Sequence, residues 1–262
     1  LLAKFADDIT TADKFPKYST SLAMQGVKHG VTANANLPVV PERAIPLQPP
    51  VQQLFETWHD KMVANGCISR ATSQELDACS CILNHMPVLK RGAEQPFGLA
   101  DYRFVLLAAP LSNIIQRVAP FEFATRQEVR EFAKGKNYFS SLDCAKFFPT
   151  IPAEYDGLFL HMCKGDYFKY NVVVQGEHTA PSAAHKVMMA MFSHLVSAGL
   201  MIIHVDDILV GTVSGEQHLE ILEQTFPQLR EFGVNLNAGK SILCRPVVTF
   251  LGLIVSAEGV EP

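Results

Sequence analysis

The segment MIIHVDDILVGT, residues 201–212, restricts the fold of this chain more than any other. Two adjacent carboxylates, Asp206 and Asp207, interrupt an otherwise apolar, largely β-branched run. A buried carboxylate is costly unless it is paired or bound to a cation, so one unbroken core strand through this segment is excluded. The pattern fits two strands, LMIIHV and ILVGTV, joined by Asp206-Asp207 alone, because Asp tolerates the unusual backbone angles of a two-residue hairpin loop. The spacing predicts the pair at the exposed tip of a hairpin, where neither carboxylate needs to be buried.

The flanking segments give a mixed pattern. Val51, Leu54, Phe55, Trp58 and Met62 recur at helical spacing, with Gly66 as a stop. PVLKRG and YRFVLLAA read as strands bracketing a loop, and TRQEVREFAKG as a short helix closed by Gly135. NYFSSLD is a strand ending on Asp143, and LFLHMCKGDYFKYNVVV a hairpin turning at Lys164-Gly165-Asp166. APSAAHKVMMAMFSHLVSAG is a helix with Pro181 in its first turn. SGEQHLEILEQTFPQLREFG is a second, capped by Ser214, which Pro227 is expected to kink or break. A further strand pair ends the chain. Helices packed on a mainly antiparallel sheet make the class α+β.

Bulk properties narrow the function. Of 262 residues, 48% are hydrophobic and 18% charged, as in a globular chain. No run of about 18 uncharged apolar residues occurs, so no membrane span and no membrane partner is expected. The net charge of −4 argues against generic nucleic-acid binding, which rests on Lys and Arg neutralising phosphate, though a local basic patch is compatible with it. Six scattered cysteines form no paired framework and point to a reducing, intracellular compartment. Cys67, Cys79, Cys81 and His85 could supply four zinc ligands, but their spacing matches no common zinc module, and buried thiols explain them as well. The first residues, LLAKFADDITTADKF, carry neither an initiator Met nor a signal pattern, so the chain is expected to be part of a longer product.

An Asp-Asp turn alone is also what a solvated loop contains. The segment SSLDCAKFFPTIP adds Asp143 directly after an apolar strand. Strand-end carboxylates that face each other can hold two Mg²⁺ ions, which activate an attacking oxygen and stabilise a leaving one in phosphoryl transfer. Like charges this close need the cations to stay ionised together.

With these residues in view, the chain resembles the fingers and palm of a reverse transcriptase of the retroviral and gypsy-type long-terminal-repeat retrotransposon group. The resemblance covers about residues 49–262 and rests on an ordered set of motifs: ANGCISRATS, PVLKRG with YRFVLLAAPLSN, SLDCAKFFPTIP, VVVQGEHTAPSAAHKVM, HVDDILV, GVNLNAGKS and FLGLIVSAEGVEP. It implies a right-hand palm and fingers, an antiparallel sheet covered on one face by helices, without a thumb. Residues 1–48 would form an extended arm or linker, 49–135 a fingers-like region and 136–262 the palm, with fingers and palm interleaving around 157–180.

The resemblance also implies roles. Asp143 and Asp206 would bind both Mg²⁺ ions, with the Cys144 carbonyl as a further ligand and Asp207 in support. Arg103, with Lys90 and Arg91, would grip the triphosphate. Gln175 and Gly176 would pack against the incoming deoxynucleotide. Phe148, five residues after Asp143, would exclude a ribose 2′-OH. Lys240 would protonate the departing pyrophosphate. Phe250, Leu251 and Gly252 would hold the primer end. Each has an ordinary alternative as surface charge, turn or core.

The chain departs from the family pattern at His204, where Tyr is usual, in LLAAPLSN, at Ala184 and at Pro227. Two readings follow. In the first, the chain is an RNA-directed DNA polymerase domain acting on an RNA or DNA template-primer with a dNTP. In the second, it is a domesticated reverse-transcriptase-like domain, a structural subunit of a ribonucleoprotein with protein or RNA partners. The retained Asp143, Asp206, Asp207, Phe148 and Gln175 favour the first; the acidic balance, His204, the altered fingers and the missing thumb favour the second. Phe148 argues against an RNA-templated RNA polymerase.

Overall fold

The computed structural model describes residues 9–10, 19, 22, 28–31, 45–116 and 123–262. Most of the expected arm at 1–48 lies outside the described residues. The chain divides into two compact units, one of Leu1–Lys14, Pro120–Phe147 and Pro181–Pro262, the other of Phe15–Ala119 and Phe148–Ala180. No helix among the described residues is long and apolar enough to cross a membrane.

The first unit is organised by the strand Tyr138–Ala145. On one side it pairs antiparallel with Asp207–Thr212, which pairs in turn with Met201–His204. On the other it pairs antiparallel with Asn235–Asn237 and Ile242–Arg245, and Ile9–Thr10 joins Asn235–Asn237 in parallel. Ile208, Leu209 and Val210 are all fully buried. Cover on both faces explains why the apolar run after Asp207 shows no alternation.

The helix Arg126–Ala133 opens on a capping box between Thr125 and Glu128. It packs Val129, Phe132 and Ala133 into a core with Phe139, Leu209, Val248, Phe250, Leu253 and Val255. Gly211 permits this approach: a Cβ there would lie 2.7 Å from Phe132 Cε1 and 2.8 Å from Lys136 Cδ.

The helix Gly215–Glu231 begins at Ser214, whose hydroxyl accepts the N–H of Gln217. It runs through Pro227 without the expected break. A proline inside a helix costs ~3 kcal/mol. Leu222, Phe226 and Leu229, on both sides of it, are buried, and each such side chain contributes ~1.5–3 kcal/mol, so packing outweighs the missing hydrogen bond. Gln228 Nε2 donates to the Met191 carbonyl at 2.7 Å, tying this helix to Ala180–Ser197. His218, fully buried, sits 2.7 Å from Ser140 Oγ and 3.0 Å from Thr212 Oγ1, so it joins the helix to two neighbouring strands. Burial pushes its pKa down to about 4.

The second unit holds a four-stranded sheet in the order Ile68–Arg70, Asp166–Tyr170, Phe159–Cys163, Cys81–Leu83. It also holds the helix Pro49–Ala64 and the hairpin His85–Leu89 with Tyr102–Leu106. The turn between Phe159–Cys163 and Asp166–Tyr170 is Lys164-Gly165, both at positive φ, and Asp166 already belongs to the strand. Three buried histidines lie together here. His59 Nε2 is 3.1 Å from His161 Nε2, and His85 Nε2 is 2.6 Å from the Tyr170 hydroxyl. Burial lowers His59 to about 4 and His85 to about 3.

Candidate active site

The acidic hairpin is shifted by one residue from the sequence expectation. His204 pairs with Asp207, so the two-residue turn is Val205-Asp206, and Asp207 opens the next strand. Val205 has φ +60°. That region is rarely open to a β-branched residue, and strain of this kind costs on the order of 1–3 kcal/mol where it persists. Neither aspartate is at a free tip; both are partly buried.

Asp207 pairs in register with Asp143 on the neighbouring strand. The N–H of Cys144 donates to the backbone carbonyl of Asp206 at 3.2 Å, which closes the turn onto the same strand. Three acidic residues from two distant stretches thus meet at one end of the sheet. Asp143 is held twice more. Its N–H donates to Ser241 Oγ at 3.1 Å, and Lys240 Nζ lies 3.2 Å from its Oδ2. Nothing in the sequence singles out Ser241; its signal is only its place beside Lys240.

The electrostatics are unbalanced. Burial first, then the charges of Asp206 and Asp143, pushes Asp207 up to about 6. Asp206 is raised by burial and by Asp143, against the lowering effect of its own backbone hydrogen bond, Lys240 and His204. Burial, then Asp206, Asp143 and Asp207, holds the Cys144 thiol well above its usual range, so sulfur is not the available donor there. The available donors are carboxylate and carbonyl oxygens, a hard set suited to Mg²⁺. Among the described residues no three His, Cys, Asp or Glu side chains form a ready-made metal cage.

The nucleotide-binding candidates all belong to the second unit. Arg103 is exposed on Tyr102–Leu106, opposite Val88. Lys90 and Arg91 are exposed at the end of the same hairpin, where Lys90 Nζ donates to the Ala100 carbonyl. Gln175 and Gly176 are exposed in a turn closed by Glu177 N–H to Val174 carbonyl at 3.3 Å, with Gly176 at φ +101°. Of the two adjacent rings, Phe147 is fully buried and Phe148 partly exposed.

In the expected primer hairpin, Leu251 and Gly252 form the turn, at positive φ, while Phe250 points into the core. His204 lies against Phe123, with ring centroids 5.3 Å apart. The cysteines considered for zinc make separate contacts. Cys79 Sγ donates to the Cys81 carbonyl, Cys67 Sγ approaches the Pro149 carbonyl, and His85 is engaged with Tyr170.

Residues 67–255 match the family model described as reverse transcriptase (RNA-dependent DNA polymerase). The chain is 34% identical over 87 residues to the genome polyprotein of Petunia vein clearing virus, covering 33% of this chain and 4% of the polyprotein. It is 28% identical over 144 residues to the enzymatic polyprotein of Cauliflower mosaic virus, covering 54% of this chain and 21% of that one. The foamy viral protease-reverse transcriptase solved with an RNA/DNA hybrid superposes with TM-score 0.78 at 19% identity, over 99% of this chain and 32% of the other. The same protein's form solved with dsDNA gives 0.74 at 19% identity, over 99% of this chain and 50% of the other. The chain therefore spans at most half the length of these relatives.

Proposed function

The chain belongs to the reverse transcriptase family, and from that premise we propose that it supplies the catalytic core of an RNA-directed DNA polymerase that extends a primer 3′ end by two-metal nucleotidyl transfer. The observation that carries this reading is the register pairing of Asp143 with Asp207, with Asp206 closed onto Cys144. It gathers carboxylates that are uneconomical to ionise together without added positive charge.

When bound, two Mg²⁺ ions would supply charge neutralisation at the attacking and leaving oxygens. Asp143, Asp206 and the Cys144 carbonyl would hold them, and Asp207 would support the site. Lys240, free at its exposed end to turn from Asp143 to a phosphate oxygen, would deliver a proton to the departing pyrophosphate. In the second unit, Arg103, with Lys90 and Arg91, would bind the triphosphate, and the Gln175-Gly176 turn would support the nucleotide. Phe148 would bar the 2′-OH. Template-primer partners are suggested by the solved relatives, whose complexes contain an RNA/DNA hybrid or dsDNA.

The test is primer extension on an RNA template by the full-length protein. Wild type is expected to incorporate dNTPs only with Mg²⁺, and Asp143→Asn to lose incorporation. A wild type inactive under these conditions would favour the structural-subunit reading, in which the acidic cluster has no catalytic task.

A further inference from the structure

We propose that His29, from the segment preceding the fingers, is a positioning residue for the Gln175-Gly176 turn, acting through the buried carboxylate of Glu177; its effect on nucleotide binding rests on the polymerase reading above. Glu177 follows the turn directly, and its side chain is fully buried. A carboxylate removed from water must be compensated by hydrogen bonds. Thr179 supplies two of them to Oε1, from its backbone N–H at 2.6 Å and from its hydroxyl. His29 Nε2 is the partner of Oε2, at 3.1 Å. His178 Nδ1 stands 4.0 Å from Oε1, beyond hydrogen-bond reach.

The network fixes which atom of His29 carries the proton. The Thr179 hydroxyl donates to Glu177, so toward His29 Nε2, 3.1 Å away, it acts as an acceptor. Both neighbours of Nε2 are therefore acceptors, and Nε2 must bear hydrogen.

His29 touches both ends of the turn. The N–H of Glu177 closes it at one end on the Val174 carbonyl. At the other, the N–H of Val174 donates to the Tyr155 hydroxyl at 3.1 Å, and the His29 ring packs edge-on against Tyr155, with centroids 6.3 Å apart. His29 itself is set by its N–H to the Pro152 carbonyl at 2.8 Å and by parallel pairing of His29–Gly30 with Ala153–Glu154. The exposed surface of the turn is thus supported from beneath by a residue about 146 positions away in sequence.

Hydrogen–deuterium exchange of the full-length protein tests the device without requiring activity. In His29→Ala, the amides of residues 174–179 should exchange about tenfold faster, the effect expected when a hydrogen bond to a buried charged group is lost. His29→Gln, which restores an N–H donor, should recover most of the protection. Lys28→Ala, which removes only the neighbouring ion pair with Glu154, should leave it unchanged. Equal exchange in wild type and His29→Ala would overturn the proposal, as would loss of protection in Lys28→Ala of the same size. Where wild type incorporates dNTPs, His29→Ala should raise KM for the dNTP several-fold with kcat nearly unchanged, and a fall in kcat alone would overturn the positioning role. An inactive wild type would count against the polymerase reading, and the exchange result would still decide whether His29 holds the turn.

Discussion

Asp143 and Asp207 are register partners on adjacent antiparallel strands, 64 positions apart in sequence and joined side by side by the sheet. Antiparallel partners hold their Cβ atoms about 4.5–5.5 Å apart, so two like charges are kept together by backbone pairing whatever the side chains prefer.

Neutralising one member should therefore be harmless to the fold. In a chelator, Asp143→Asn is expected to melt within about 2 °C of wild type, or slightly above it, because the ion pair it loses to exposed Lys240 is worth only ~0–1 kcal/mol. Adding Mg²⁺ should raise the wild-type melting temperature more than the variant's. Calorimetry with and without Mg²⁺ measures both, and a large loss of stability in chelator would show that Asp143 is structural.

Phe148→Val should open space for a ribose 2′-OH. Discrimination against ribonucleotides is expected to fall by more than about tenfold, equivalent to ~1.4 kcal/mol in the transition state, with a smaller loss of deoxynucleotide use. Single-nucleotide extension with each sugar gives the ratio, and an unchanged ratio would place the gate at another residue.

Acid should loosen the first unit through His218. Its pKa in the fold, about 4, lies below the ordinary value of 6.5. Below pH 6.5 the unfolded chain binds a proton that the folded chain refuses, so the stability contributed by neutral His218 is present above that pH and lost as pH falls towards 4. His59 and His85 act in the same direction in the second unit. His218→Gln should be less stable than wild type at pH 7.5, with the gap narrowing by ~1–2 kcal/mol at pH 5. Denaturant melts at the two pH values test this, and a gap independent of pH would refute it.

Gly211→Ala should destabilise the first unit. The added methyl meets the Phe132 ring at 2.7 Å, and overpacking of this kind costs ~1–3 kcal/mol. Lys136 can swing aside, but Phe132 is buried in the core and cannot move freely. Thermal melts of the variant should show the loss; a melting temperature equal to wild type would mean that the helix shifts outward without cost.

Where the sequence was readable, the reason is local. Carboxylates between apolar runs marked Asp143, Asp206 and Asp207, and Ser214 before a helical run is a capping pattern within one turn of chain. Where it failed, tertiary structure overrode a local preference. Propensity excludes Val205 from positive φ and so put the turn one residue too late. Pro227 sits in a helix that its buried neighbours hold together. Ser241, His29 and His218 work through partners far away in sequence, and no pattern within a single sequence announces such contacts.

The strand Tyr138–Ala145 is paired along both edges. Because alternate residues point to opposite faces, one residue inserted or deleted between Phe139 and Leu142 would carry Asp143 to the other side of the sheet or break the ladders on both flanks. The exposed Lys164-Gly165 turn has no such constraint. Natural variants should therefore differ in length at that turn and exchange side chains, but never count, along the strand before Asp143.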